Sequence, residues 1–230
     1  LDVSTNTALE TLDLWANELT YLNMRNGVTN SLTFFKATGN NLTCIEILDP
    51  DYATANWTNT NDNIDEGVTF SVICDTQEQD DWYVATTGSD GSGNGTQENP
   101  FATIQTGINI AGDGNTVHVT SGTYVENISY SGKSISINGE DRETTIVDAD
   151  SSGRPFTFDG DDQHTITLSG FTFTNGNSGQ GGGIYINDGL DIDLSNLIIT
   201  GNTGGGAYIN SSTGDISDVI FSDNDAYSGG

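Results

Sequence analysis

The chain has 230 residues, of which 5 are Lys or Arg and 33 are Asp or Glu, a formal net charge of −28 at pH 7. So few cations exclude a phosphate backbone as partner, because that backbone is held chiefly by Lys and Arg, and they leave nothing to hold anionic lipid headgroups. A hydrophobic fraction of 33% argues against one large spherical core, and no run of about 18 apolar residues is present to insert in a membrane. Leu1 lies inside a repeat and Gly230 stops partway through another, so the sequence reads as a fragment of a longer protein.

The first repeat is explicit. Leu9, Leu12, Leu14, Asn17, Leu19, Leu22 and Met24 return 23 residues later as Leu32, Phe35, Ala37, Asn40, Leu42, Ile45 and Ile47. Leu12 and Leu14 point to one side of a short strand, since side chains alternate across it. The Asn at the turn is suited to bond exposed backbone groups and form a ladder from coil to coil. The pattern L-x-x-L-x-L-x-x-N-x-L resembles the leucine-rich repeat family, in the version found in secreted bacterial surface proteins, over a fifth of the chain. After Ile47 the period stops, and an irregular segment with Trp57 and Phe70 follows between Cys44 and Cys74, the two cysteines of the chain. A solenoid end needs a cap. The resemblance implies that residues 1–74 are a leucine-rich segment whose cap is closed by a Cys44–Cys74 disulfide, in an extracellular setting. From the residues alone, free thiols or half of a metal site stay open.

Residues 75–81, Asp-Thr-Gln-Glu-Gln-Asp-Asp, have no apolar side chain and read as an acidic linker. Residues 82–230 form the second array. Trp82–Thr87 reads as an opening strand. A helix is expected next, with Asn99 as N-cap, Pro100 at its first position, Gly112 at its stop, and Phe101, Ile104, Ile108 and Ala111 on one face. Short strands follow at Val117/Val119, Ile135/Ile137, Phe156/Phe158, Ile166/Leu168 and Phe171/Phe173. Gly181-Gly-Gly-Ile-Tyr-Ile-Asn187 then returns as Gly204-Gly-Gly-Ala-Tyr-Ile-Asn210, and Leu194, Leu197, Ile199 and Asn202 return as Ile216, Val219, Phe221 and Asn224. Coils of this length without helical crossovers predict a parallel β-helix. Tyr83-Val-Ala-Thr-Thr-Gly-Ser-Asp90, Asn99-Pro-Phe-Ala-Thr-Ile-Gln105, Gly114–Tyr124 and the Gly-Gly-Gly coils resemble the right-handed parallel β-helix family of pectate lyases and galacturonases. The resemblance implies an all-β solenoid with a short N-terminal capping helix, and leaves activity open.

A lyase of that family needs an Arg or Lys base, for which Lys133, Arg142 and Arg154 are the candidates; Arg142, among Glu140, Asp141 and Glu143, reads better as a surface ion pair. A hydrolase needs paired carboxylates. Asp161 and Asp162, near His164, are adjacent and so face opposite sides of an extended segment. His118 alternates outward and has no partner in sequence. No catalytic residue is therefore assigned.

Twelve Asp and no Glu follow Glu143. Asp bonds its own backbone in turns and is also a short-reach Ca²⁺ ligand. Asp148/Asp150, Asp188/Asp191/Asp193 and Asp223/Asp225 are such clusters; the metal candidates are Asp159, Asp161 and Asp162, with Asp90 and Asn94 in a Gly-rich loop. Tyr185 and Tyr208 point outward one coil apart, at about 4.8 Å, and form a candidate sugar-contact strip; a structural ladder is the competing reading. Ile198 and Ile220 form a second outward pair. The five N-x-S/T sequons, at Asn41, Asn56, Asn94, Asn127 and Asn210, are expected from composition. Two functions compete: an extracellular module for adhesion or glycan contact at a cell surface, and a polysaccharide lyase or hydrolase with its site mostly outside these residues. Oligomeric state is not written in the sequence.

Overall fold

The computed structural model describes residues 1–74, 79–130, 132–159, 164–187, 191–210 and 212–226. Among the described residues the fold is an all-β parallel solenoid with two short α-helices. It divides into two units, residues 1–78 with 90–94, and residues 79–89 with 95–230.

In the first unit, β1 (Thr11–Asp13) and β2 (Phe34–Lys36) pair in parallel with Leu12 opposite Phe35, so the 23-residue period is one coil. β3 (Cys44–Glu46) pairs with β4 (Thr69–Ser71), and bridges link Asp2 to Asn23 and Asn23 to Glu46. Leu22, Met24, Phe35, Ala37, Ile45 and Ile47 fill the interior. The Asn ladder forms: Asn40 Nδ2 donates to Ala37 O in its own coil and Leu14 O in the preceding one, both at 2.9 Å. Its Oδ1 accepts from Leu19 N at 3.1 Å. One amide thus satisfies backbone groups that a turn leaves unpaired.

The segment between the cysteines is more regular than expected. It holds α1 (Pro50–Asn56), whose N-cap Asp49 accepts from Tyr52 N at 2.9 Å, and then β4. Trp57 packs on Phe35 at 4.4 Å between ring centroids and on Phe70 at 6.0 Å. Cys44 and Cys74 are disulfide-bonded, with Cα atoms 5.7 Å apart.

In the second unit every strand pair is parallel. β5 (Asp81–Val84), β6 (Thr116–Val119), β9 (Ser136–Gly139), β12 (Thr165–Thr174), β14 (Asp191–Thr200) and β16 (Ile216–Ser222) form the main sheet. β7 (Gly122–Val125) and β10 (Thr145–Asp148) continue it beyond the bend of β12. β8 (Ile128–Tyr130), β11 (Phe156–Asp159), β13 (Ile184–Asn187) and β15 (Ala207–Asn210) form another sheet. Val117, Ile137, Leu168 and Leu194 stack inward from the first, and Phe156, Phe158, Ile184 and Ile186 from the other.

The long strands turn corners at residues with left-handed backbone: Gly170, Asn196 and Asp218 at one, Asn175, Gly201 and Asp223 at the next, with φ from 50° to 81°. Gly, Asn and Asp are the residues that tolerate this region. The Gly-Gly-Gly repeats answer a different need: a Cβ on Gly182 would lie 2.1 Å from the Thr203 carbonyl oxygen of the next coil. Asn202, 1% exposed, repeats the Asn ladder, donating to Phe173 O and Thr200 O while its Oδ1 accepts from Gly176 N.

α2 spans Ile104–Ile110, with Thr103 as N-cap, so it starts later than the expected Asn99 cap. The reason is local: Phe101 bridges to Val84 and exchanges backbone bonds with Tyr83 and Ala85, which holds residues 100–101 extended. β7, β8 and β10 lie where no strand was expected, and the opening strand is shorter, ending at Val84.

Candidate functional site

The chain's five cations can be followed one by one. Arg25 faces Glu46 at 3.3 Å. Lys36 pairs with Asp62. Lys133 Nζ donates to Ile108 O at 2.9 Å and Asn109 O at 2.8 Å, carbonyls in the last turn of α2. The opposite end of α2 meets Glu126, whose carboxylate accepts from Ile104 N and Gln105 N, so both helix ends hold charges of the favourable sign. Arg142 binds Asp218 at 3.0 Å and Glu143 at 3.8 Å; the ion pair expected of it is present, with its nearest partner 76 residues ahead. Arg154 donates to Gln180 O and Gly181 O. All three candidates for a cationic base, Lys133, Arg142 and Arg154, hold structural partners.

Tyr185 and Tyr208 stack in register, with centroids 5.1 Å apart and planes 11° from parallel. The Arg154 guanidinium lies over the Tyr185 ring at 4.4 Å. Both faces of Tyr185 are therefore covered, and within this pair only the far face of Tyr208 can take a sugar ring. Ile198 and Ile220 pair in register as a second outward row.

Of the metal candidates, Asp161 and Asp162 lie outside the described residues, and Asp159 ends β11 opposite Asn187. Segment 90–94, with Asp90 and Asn94, groups with the first unit: Gly91 O accepts from Asn23 Nδ2 and Gly93 O from Arg25 Nη1. Among the described residues no three His, Cys, Asp or Glu side chains gather to hold an ion.

Register brings together a group that sequence reasoning missed. On the outer face of the main sheet, Tyr83, His118, Asn138, Ser169, Ser195 and Ser217 form one row across six coils. Tyr83 and His118 stack at 5.0 Å and 20°. His118, which has no partner in sequence, finds Asp81, at 2.8 Å from its Nε2. Ser169 Oγ donates to Asn138 Oδ1 at 2.9 Å. Beside them opens a cleft of about 260 Å³, lined by Tyr83, Gln97, Pro100, His118, Asn138 and Glu140. Ser121 N donates to Glu140 at 2.8 Å, and this bond holds the carboxyl below its ordinary pKa. The lining offers two ring surfaces, the amides of Gln97 and Asn138, and the carboxylate of Glu140 as an acceptor. The available signal was the outward alternation of His118 between Val117 and Val119, read against Tyr83 between Trp82 and Val84.

Comparison with protein-family models, with curated proteins and with solved structures finds no match for this chain.

Proposed function

We propose that this chain is an extracellular structural and binding module that contacts uncharged carbohydrate at a cell surface. The observation that carries the reading is the Tyr83–His118 stack beside the cleft. A pyranose ring has an apolar face that packs on aromatic rings and hydroxyls that bond amides and carboxylates. The cleft volume is slightly below the ~300–1,000 Å³ of drug-sized sites and suits a single sugar unit. The polar row from Asn138 to Ser217 continues at one-coil spacing for an extended chain.

The finer architecture belongs to the same proposal. The Asn ladder and the 23-residue coil support a leucine-rich repeat segment closed by the Cys44–Cys74 bond, which suits an oxidising compartment. The parallel coils support a right-handed, pectin-lyase-like β-helix with α2 as its N-terminal cap. A field of −28 opposes free polyuronates. The lyase reading is weaker because Lys133, Arg142 and Arg154 are engaged with α2, Asp218 and the Gln180–Gly181 carbonyls. Ca²⁺ at the Asp-rich turns is a further proposal, tested by titration with EDTA.

The test is calorimetric titration with neutral oligosaccharides and with polygalacturonate, using the intact chain and Tyr83→Ala. Binding of a neutral oligosaccharide that falls about tenfold in Y83A, roughly the stacking contribution, supports the reading. No binding, or equal binding by Y83A, overturns it.

A further inference from the structure

The first unit presents a face that the glycan reading does not use. In β1 and β2, Leu12 and Phe35 turn inward while Thr11, Asp13, Phe34 and Lys36 turn outward, with Thr11 opposite Phe34 and Asp13 opposite Lys36. Just past β1 stands Trp15, 63% exposed, and Phe34 is 46% exposed. The other two Trp residues, Trp57 and Trp82, are buried. A recess of about 360 Å³ opens beside Phe34, Lys36, Asn61 and Asp62.

The same face is acidic. Asp13, opposite Lys36, and Asp62, bound to it, are exposed, as is Glu10, whose carbonyl accepts from Thr33 N beside Phe34. Residues 1–78 contain 12 Asp and Glu against 2 Lys and Arg, a net of 2 − 12 = −10. Neither cation opposes a partner: Arg25 is buried against Glu46, and Lys36 is held by Asp62. Lys36 also shows how this surface accommodates an ammonium group, 5.6 Å above the Trp15 ring and against a carboxylate.

We propose that this outer face docks a basic, extended polypeptide segment of a partner protein. Aliphatic stems cover Trp15 and Phe34, and Lys or Arg heads meet Glu10 and Asp13. Large aromatic side chains ringed by complementary charge are the composition of interface hot spots. Lys and Arg suit such a site because they present an apolar stem and a charged head together.

Trp15 is the exposed indole, while Trp57 lines the recess at 7% exposure, so the part of the emission change lost in Trp15→Ala reports this face. The probe is a synthetic peptide alternating Lys and Val, with a Glu/Val peptide and a neutral oligosaccharide as comparisons. The Lys/Val peptide is expected to shift emission to the blue and protect Trp15 from acrylamide, more weakly as salt rises. By calorimetry, Trp15→Ala and Phe34→Ser should each weaken binding about tenfold, the scale of a modest hot spot. Asp13→Asn keeps the acceptor that Trp15 N uses and should weaken binding through charge alone. Circular dichroism confirms that the variants fold. Equal affinity for W15A and F34S would reduce the binding to diffuse charge and overturn the proposal. Protection by the oligosaccharide instead of the peptide, or by neither, overturns it as well. None of these outcomes bears on the Tyr83 cleft.

Discussion

Arg25 and Glu46 meet inside the first unit at 3.3 Å with side chains only 4% and 7% exposed. Glu46 also accepts from Tyr21 Oη and from Cys74 N, so one carboxylate ties two successive coils to the segment that the disulfide closes. A buried pair adds little net stability over an apolar substitute, but removing one partner strands the other charge. Glu46→Ala should therefore destabilise the first unit by about 3–5 kcal/mol, measured by urea unfolding. Replacing both partners with Met and Leu should cost much less.

The same carboxylate sets an alkaline limit. Burial first, and then Glu46, push the Tyr21 hydroxyl up to about 12 from 10.0. Tyr21 therefore holds its proton more tightly when folded. Its contribution is complete below pH 10 and is lost as pH rises from 10 toward 12. Stability should fall over that window in the intact chain, and Tyr21→Phe should flatten the fall. Absorbance at the phenolate band should show a transition near pH 12 that disappears in Tyr21→Phe.

Lys133 and Glu126 hold the two ends of α2 from the following coil. Charges at helix ends are worth about 0.3–2 kcal/mol according to burial. Lys133→Met and Glu126→Gln should each lower the melting temperature of the second unit. Their effects should also be coupled, because both act through the same short helix. Hydrogen exchange at Ile108 and Ala111 amides is the local measurement.

Asn196 sits at a corner with φ of 53°. Asn196→Val forces a β-branched residue into the left-handed region and should cost about 1–2 kcal/mol. Asn196→Gly should be close to neutral. If both variants unfold at the same temperature, the corners owe nothing to backbone conformation.

These corners show what a single sequence discloses. The inward rows were legible because Leu12/Phe35 and Leu194/Ile216 repeat at one coil length, and that repetition is the register. The Asn40 ladder was legible for the same reason. β7 and β10 escaped because Thr123 and Tyr124, or Thr145 and Ile146, lack the paired apolar pattern of a recognisable inward row. The helix boundary moved because residue 101 bridges a strand instead of joining a helix, a tertiary preference that no capping rule contains. The Tyr185–Tyr208 pair was found as a row, but the cover that Arg154 places over it comes from another coil. His118 looked isolated because its partner Asp81 is 37 residues earlier in sequence and one strand away in space.

With every Lys and Arg serving as an internal strut, the molecule has no mobile positive charge of its own to set against 33 carboxyl groups. Its neutrality is supplied by the medium. A cloud of solvent cations travels with the protein and thins from about 3 Å at 1 M salt to about 30 Å at 0.01 M. Self-repulsion among these carboxylates makes the stacked coils sensitive to ionic strength, and thermal unfolding should move to lower temperature as salt is removed.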